Sequence, residues 1–210
     1  MTVRLVLVTH GPTIATRAAR FPRDEPLDER GAADAQAATG VLRRIERIYR
    51  GGELRCAQTA SALGFTAAAN AADGVEAALA DWDLGAWQGR GLDELQADRP
   101  AELLAWLTDP AAAPHGGETL NQLLTRAAGW LDTLANKTTS DRAAGPARIA
   151  AVTHPALVRA VVTHVLKAPP GSFWRIDAAP LSQTWLSYHH DRWQLRETGH
   201  PLTPAAAEPD

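Results

Sequence analysis

Hydrophobic residues recur along the chain with two different periods, one typical of strands and one typical of helices. Val3 to Thr9 alternates β-branched and apolar residues and stops at a His-Gly-Pro turn, which predicts a buried first strand. A second buried strand is predicted for Ile149 to Thr153, again followed directly by histidine and proline. Between them, Glu118 to Ala135 carries apolar side chains every three or four positions, which predicts an amphipathic helix.

The other segments add further strands and helices. Helices are predicted at 32–43, 54–63 and 156–166, a short strand at 45–49, and a terminal hairpin at 183–188 and 193–196. Residues 11–30 lack a sustained period, so we expect a long ordered loop with at most one helical turn. This alternation predicts an α/β fold, a three-layer α/β/α sandwich with a mostly parallel central sheet. Ligands bind such sheets outside the carboxyl ends of the strands.

The middle of the chain differs from this alternation. Residues 82–115 mix tryptophan and proline with short helical segments, which predicts a small cap or rim beside the sheet. A length of 210 residues fits one compact domain with an elaboration. We therefore expect a single domain over residues 1–198 and a flexible tail, rich in proline and alanine, over residues 199–210.

Composition excludes several functional classes. The chain is 45% hydrophobic and 21% charged, with a net charge of −3, so neither general disorder nor nucleic-acid binding by gross electrostatics is expected. The single cysteine, Cys56, allows no intrachain disulfide and makes a thiolate zinc site implausible. No segment approaches the roughly 20 apolar residues of a membrane span, and the first residues lack a signal-peptide pattern. We expect a cytoplasmic protein with no membrane partner.

Two histidines follow the two buried strands in nearly the same local sequence, Val-Thr-His. If the strands are neighbours, His10 and His154 project into one crevice beside helix N-termini, where unpaired N–H groups favour an anion such as phosphate. A neutral imidazole is nucleophilic near pH 7. A lone histidine at a strand end is more often structural, whereas a matched pair favours a nucleophile with a partner.

By contrast, His189, His190 and Asp191 form a poor chelate, because adjacent strand residues point to opposite faces.

Further residues, in order, resemble the motifs of the histidine phosphatase superfamily, also called the phosphoglycerate mutase-like family. The motifs are His10-Gly11-x-Thr13, Arg20, Pro26-Leu27-x-Glu29-x-Gly31, Arg55-x-x-Gln58-Thr59-Ala60, Leu79-x-Asp81 with Gly85-x-Trp87-x-Gly89, Gly116-Gly117-Glu118-Thr119, and His154 with Arg159 five residues later. They run from residue 5 to about residue 198. Each motif is weak alone, and the ordered set is specific.

The resemblance implies a role for each of four catalytic residues. His10 becomes transiently phosphorylated, Arg55 and His154 hold the phosphoryl oxygens, and Asp81 protonates the leaving oxygen. The charge that spreads over the phosphoryl oxygens in the transition state suits a planar guanidinium and an imidazole donor. That same charge should push Asp81 towards its protonated form. Neither a metal nor another cofactor is expected.

Five further residues are expected to contact the phosphate or the substrate, and they are Thr9, Gly11, Thr13, Arg20 and Trp82. Trp82 and Trp87 flank Asp81 and are candidates for lining a pocket for an apolar or ring-containing leaving group. Glu118 has a plain alternative interpretation as a charge at a helix N-terminus. The expected partner is a small phosphorylated substrate, and a homodimer is possible.

The sequence departs from the family pattern at its first motif, where Thr9 stands in place of the usual arginine. Loss of one preorganised donor typically costs about 10²- to 10³-fold in rate. Thr16 and Gly51-Gly52 are further departures. Two hypotheses follow: an arginine (Arg17, Arg20 or Arg159) compensates and the protein is a phosphomonoesterase, or it binds a phosphorylated ligand with weakened or no turnover. A phosphoglycerate mutase is less favoured because the segment after Asp81 is short, and a purely structural domain would make the ordered motifs a coincidence.

Overall fold

The chain folds around a five-stranded sheet with strand order β2-β3-β1-β4-β5 in a computed structural model that describes residues 3–65, 74–140 and 147–202. The strands are β1 (Val3–Thr9), β2 (Arg47–Arg50), β3 (Ala147–Thr153), β4 (Ser182–His189) and β5 (Arg192–Pro201). The first three are mutually parallel, while β4 and β5 add an antiparallel hairpin beside β1. The expected mostly parallel sheet is therefore confirmed, with an antiparallel edge.

Helices cover both faces of this sheet. They are α1 (Ile14–Arg17), α2 (Glu29–Ala37), α3 (Leu54–Ala62), α4 (Leu92–Asp98), α5 (Pro100–Thr108), α6 (Leu120–Ser140) and α7 (Pro155–Val165). Short 3-10 turns lie at Ala77–Leu79, Gly85–Trp87 and Pro170–Arg175. No helix among the described residues is long and apolar enough to span a membrane.

The strand β1 shows how the layers are held together. Leu5 and Leu7 pack into one buried cluster with residues of α6 and α7, whereas Val6 and Val8 pack into a second cluster with residues of α3. Successive side chains of a strand point to opposite faces, so an uninterrupted apolar strand is buried on both sides. This confirms the three-layer arrangement, with α6 and α7 on one face and α2 and α3 on the other.

The hairpin extends further than the sequence indicated. The strands β4 and β5 are joined by His190 and Asp191, which both have positive φ, as the tight turn that matches strand twist requires. Pairing then continues as far as Ser182 and Pro201. The flexible tail expected over 199–210 is therefore wrong for its first residues, because Leu202 is buried and its N–H donates to the carbonyl of Leu181. The rest of that tail lies outside the described residues.

Two helices also have boundaries that differ from the expectation. The helix α2 begins at Glu29, because the Asp28 carboxylate accepts a hydrogen bond from the N–H of Gly31 and so caps it. It ends near Ala38, before Gly40, which has a positive φ that stops a helix. The helix α6 runs to Ser140, five residues past its predicted end. The cap predicted at 82–115 consists of α4, α5 and the turn before them.

Candidate active site

The two histidines predicted to share a crevice lie side by side. The strands β1 and β3 pair in register, with Thr9 opposite Thr153, and the N–H of His10 donates to the carbonyl of Thr153 over 2.9 Å. The ring centroids of His10 and His154 are 5.1 Å apart, and both residues are fully buried. Backbone pairing therefore sets the separation of these two imidazoles.

His10 is held in one tautomer. Its Nδ1 lies 2.7 Å from the carbonyl oxygen of Gly11, which can only accept, so Nδ1 carries the proton and Nε2 keeps its lone pair. Burial lowers the pKa of His10 to about 3, with a further contribution from the charges of His154 and Arg55. The ring is therefore neutral near pH 7, which is the nucleophilic form.

Arg55 lies in the first turn of α3 and is buried against the same crevice. Its Nη1 donates to the carbonyl of Arg23 over 2.8 Å, and its Nη2 donates to Asp81 over 2.7 Å. Its Nε is buried and has no hydrogen-bond partner among the described residues. A buried guanidinium with an unused donor at a helix N-terminus is suited to binding an anion.

Asp81 follows the turn at Ala77–Leu79 and faces both cations. Its Oδ2 lies 2.7 Å from Nη2 of Arg55 and 3.3 Å from Nδ1 of His154. Burial alone would raise the pKa of Asp81, but the charge of His154, its hydrogen bond and the charge of Arg55 together lower that pKa well below its usual range. The cations around this carboxylate therefore favour its ionised form within the protein itself.

Glu53, which no sequence motif singled out, contacts His154 from the opposite side. Its Oε2 lies 2.9 Å from Nε2 of His154, and Sγ of Cys56 lies 3.4 Å from the same nitrogen. Burial opposes ionisation of Glu53, but the hydrogen bond and charge of His154 lower its pKa to about 2. Burial likewise opposes a charge on His154, yet Asp81 and Cys56 raise its pKa well above the usual value. These contacts favour an imidazolium at His154.

Glu53, Cys56 and His154 are residue types that can also bind a metal ion. Donor atoms of Glu53, Cys56 and His154 lie within 4.8 Å of one another, the one grouping of this kind in the described part of the chain. Each donor already has an ionic or hydrogen-bonded partner inside the group, which satisfies it without an ion. The arrangement is accounted for as an ion pair with a neighbouring thiol.

A second missed residue, Arg126 of α6, supports the loop that carries Asp81. Its guanidinium binds both carboxylate oxygens of Glu118 and donates to the carbonyls of Ala78, Ala80 and Asp81 at 2.9–3.1 Å. A charged residue between the buried positions Leu123 and Ala127 was the available signal for such a pair. Glu118 therefore has a structural partner that connects it to residues 78–81, which we call the acid loop.

The crevice opens into a cavity of about 460 Å³ that is lined by His10, Arg55 and Asp81. Aromatic side chains form much of its wall, namely Phe21, Trp82, Trp106, Phe173 and Trp174. Their rings contact each other, with centroids 4.7 Å apart for Trp106 and Trp174. Trp82 thus lines the cavity as expected, whereas Trp87 is buried in the core behind it and does not.

Four residues expected to contact phosphate do not line this cavity. The Thr9 hydroxyl donates to the carbonyl of Ala179 over 2.5 Å and accepts from the N–H of Ser182 over 2.9 Å, so it joins β1 to β4. The N–H of Gly11 donates to the hydroxyl of Thr59, and Thr13 caps α1. Arg20 is ion-paired elsewhere.

The arginines considered as replacements for a charge at position 9 are placed differently. Arg17 pairs with Asp28, and Arg20 pairs with Glu94 and donates to the carbonyl of Gly89. Arg159 of α7 lines the cavity, and its Nε is buried without a hydrogen-bond partner among the described residues. Of the three, Arg159 is therefore the one that faces the site.

Comparisons with known proteins agree with this geometry. The family model described as "Histidine phosphatase superfamily (branch 1)" matches residues 5–200. The chain is 31% identical to a glucosyl-3-phosphoglycerate phosphatase of Mycolicibacterium vanbaalenii over 87% of this chain and 82% of the relative. It is 33% identical to the Mycobacterium tuberculosis protein of the same description, over 91% and 92% of the two chains.

A solved structure gives the same result. The mycobacterial glucosyl-3-phosphoglycerate phosphatase in complex with inorganic phosphate superposes with a TM-score of 0.80 at 29% identity, covering 96% of this chain and 99% of that one.

Proposed function

Because the chain belongs to the histidine phosphatase superfamily, branch 1, we propose that it hydrolyses a small phosphomonoester through a phosphohistidine intermediate on His10. The observation that carries this proposal is the state of His10, a buried neutral imidazole. Its Nδ1–H donates a hydrogen bond to the Gly11 carbonyl. Its Nε2 lone pair is therefore available for attack on phosphorus.

In the first step, Nε2 of His10 forms a bond to phosphorus while the bond from phosphorus to the ester oxygen breaks. Arg55 and His154 carry the positive charge that the phosphoryl oxygens need, so the step does not depend on a metal ion. Asp81 supplies a proton to the leaving oxygen. Its low pKa is compatible with this role, because a bound phosphoryl group would take its two cationic partners and leave it beside an anion.

In the second step, water attacks phosphorus and the bond to Nε2 of His10 breaks, which releases phosphate and restores the neutral imidazole. The Asp81 carboxylate takes the proton of the attacking water and is ready to protonate the next leaving group. Protons and bonds therefore balance over the cycle without a cofactor.

The cavity wall supports a substrate with a ring in its leaving group. A sugar ring would pack on Trp82, Trp106 and Trp174, and a carboxylate would meet the unused donor of Arg159. Glucosyl-3-phosphoglycerate, the compound in the name of the mycobacterial relatives, has both groups. We propose it as the substrate to test first.

The second candidate is a protein that binds a phosphorylated ligand without turnover. The observation in its favour is Thr9, which carries no charge and whose hydroxyl already has two backbone partners. The cationic groups close to His10 are then Arg55 and His154.

Hydrolysis of an aryl phosphate and of glucosyl-3-phosphoglycerate tests the two candidates. The wild type, His10→Ala and Thr9→Arg would be assayed from about pH 5 to 8 with and without chelator, with His164→Ala, an exposed histidine, as the matched control. The proposal requires turnover that persists in chelator and is lost only in His10→Ala. It also requires an acid-labile, alkali-stable phosphoryl group on the quenched wild type and none on His10→Ala.

Other outcomes have defined meanings. Turnover in Thr9→Arg but not in the wild type would show that the protein binds a phosphorylated ligand without hydrolysing it, because residue 9 lacks the arginine. Interconversion of phosphoglycerates at a rate comparable to hydrolysis would identify a mutase and refute the hydrolase.

A further inference from the structure

Glu53 connects two residues of the site from behind. Its Oε2 lies 2.9 Å from Nε2 of His154, and its Oε1 accepts the N–H of Asp81 over 2.9 Å. Glu53 immediately precedes α3, whose second residue is Arg55. One carboxylate is thus in contact with an imidazole and with the backbone of the acid loop.

Gly51 makes the position of this carboxylate possible. A Cβ at residue 51 would lie 2.6 Å from Oε2 of Glu53, 2.9 Å from the carbonyl of Leu79 and 3.1 Å from Nε2 of His154. The backbone of Gly51 does not have a positive φ, so conformational freedom does not explain the glycine. The missing side chain does, because the Glu53 carboxylate occupies the space beside it.

The two nitrogens of His154 have different surroundings. Nδ1 faces Oδ2 of Asp81, which Arg55 also binds, so a phosphoryl oxygen would compete with Asp81 for the same two donors. Nε2, on the other side of the same ring, faces Glu53 and not Asp81. When an anion replaces Asp81 at Nδ1, Glu53 is the carboxylate that stays on the ring.

Several titratable groups face His154 from every element around it. They are Glu53, Arg55 and Cys56 at the start of α3, Asp81 after the turn at Ala77–Leu79, and His10 after β1. Arg55 opposes a positive charge on His154, as His10 would if it were protonated, and the two carboxylates favour that charge. The contribution of Glu53 matters most when Asp81 has been displaced.

We propose that Glu53 is a positioning residue, whose carboxylate keeps His154 protonated and directs its Nδ1–H at the transferring phosphoryl group. The positive charge on His154 then stabilises the phosphoryl oxygens in a pocket where Thr9, at the end of β1, supplies no charge. This inference rests on the proposed phosphatase reaction for its kinetic test, and a second measurement examines it without turnover.

The kinetic test is the pH dependence of kcat/KM in Glu53→Gln. The amide keeps the shape and an acceptor but not the charge, so His154 loses its proton at lower pH. We expect kcat/KM to fall about 10-fold or more near pH 8, to approach the wild type as pH decreases, and to show an alkaline limb at lower pH. A purely structural role would lower kcat/KM by the same factor at every pH.

Two further variants make the test specific. Gly51→Ala, whose Cβ displaces the carboxylate, should shift the alkaline limb in the same direction. The double variant should be no worse than the more impaired single variant, because both changes remove one interaction. Glu102→Gln, which removes an exposed carboxylate paired with Arg99, should leave the profile unchanged.

The proton on His154 can also be observed directly. In protein saturated with inorganic phosphate, the titration midpoint of His154 by NMR should be lower in Glu53→Gln than in the wild type. An unchanged midpoint, or parallel pH profiles in the wild type and Glu53→Gln, would overturn the proposal. If no phosphomonoester is hydrolysed at all, the proposed function fails while the NMR midpoint still decides the role of Glu53.

Discussion

His10 and His154 follow the same local sequence, yet the fold favours the neutral form of His10 and the cationic form of His154. Both are buried, and burial alone disfavours the charged form of each ring. His154 has carboxylates of Asp81 and Glu53 on its two nitrogens, whereas His10 has the carbonyl of Gly11. The neighbours therefore assign one ring as the neutral nucleophile and the other as the cation, a division that the matching Val-Thr-His segments could not show.

This difference predicts how stability depends on pH. The pKa of His10 falls to about 3 on folding, so below pH 6.5 the unfolded chain binds a proton that the folded chain does not. The free energy of unfolding should therefore decrease as pH is lowered from about 6.5 to 4.5, by up to about 1.4 kcal/mol per pH unit from this residue. His115, whose pKa burial also lowers, contributes with the same sign.

Chemical denaturation across that pH range provides the measurement. His10→Gln should reduce the slope, with His164→Gln as the control for replacing a histidine. The raised pKa of His154 acts at higher pH, since its stabilisation is complete below pH 6.5 and is lost as pH rises through its folded value. An identical slope in the wild type and His10→Gln would contradict the assignment.

Thr9 has a structural role that can be measured. Thr9→Val keeps the shape but leaves the N–H of Ser182 and the carbonyl of Ala179 without their hydroxyl partner. The free energy of unfolding should fall by about 1–3 kcal/mol while kcat stays within a few-fold of the wild type. Thr133→Val, at an exposed position of α6, is the matched control. A large loss of kcat at unchanged stability would show instead that Thr9 contacts the phosphoryl group.

At the scale of elements, the acid loop depends on a helix that lies outside the cavity. Among the described residues this loop has only the short 3-10 turn at Ala77–Leu79 as regular structure, and Arg126 of α6 binds the carbonyls of Ala78, Ala80 and Asp81. Glu118 neutralises that guanidinium from the turn before α6. The Gly-Gly-Glu motif thus acts on the site indirectly, because the Glu118 carboxylate binds Arg126 and Arg126 in turn binds the loop that carries Asp81.

Arg126→Met should therefore impair turnover more than its distance from His10 suggests. A displaced acid loop typically costs about 10- to 100-fold in kcat, and the variant should also be less stable because Glu118 loses its partner. Arg99→Met breaks an exposed pair with Glu102 and should change stability by less than about 1 kcal/mol. The result to look for is a fall in kcat with a smaller change in KM; equal kcat in both variants would refute the loop-support role.

The sequence predicted elements where periodicity is strong and failed where single side chains decide. The bounds of β1 follow from its apolar run, and both histidines were placed correctly at the ends of neighbouring strands. The start of α2 was wrong because one cap, Asp28, overrides propensity. Glu53 and Arg126 were missed because their partners are 101 and up to 48 positions away in sequence, and local patterns contain no information about such contacts.

At the scale of the whole molecule, the site lies where the chain returns to its own beginning. The strand β1 pairs with β3 on one side and β4 on the other, so segments separated by more than 140 residues position His10. The C-terminal strand β5 completes the sheet, and Leu202 then packs against the cluster that contains Val6 and Val8. Residues 199–202 were predicted as a tail because glycine and proline are typical of tails, and the composition gave no sign that Leu202 is buried.

Leu202→Ala should accordingly destabilise the fold. Removal of a side chain that is 3% exposed should lower the free energy of unfolding by about 2–5 kcal/mol. The same substitution at Leu166, which is 56% exposed, should have a much smaller effect. Thermal unfolding of the two variants checks this, and equal stabilities would mean that the end of β5 is not part of the cooperative unit.

The aromatic wall of the cavity has an optical consequence. Trp82, Trp106 and Trp174 line the cavity and lie close enough for their excited states to couple, with ring centroids 4.7–6.0 Å apart. A molecule that enters the cavity changes the polarity around all three indoles together. Their shared emission and near-ultraviolet circular dichroism would therefore act as a built-in, label-free signal of occupancy, one that survives even in variants that can no longer perform chemistry.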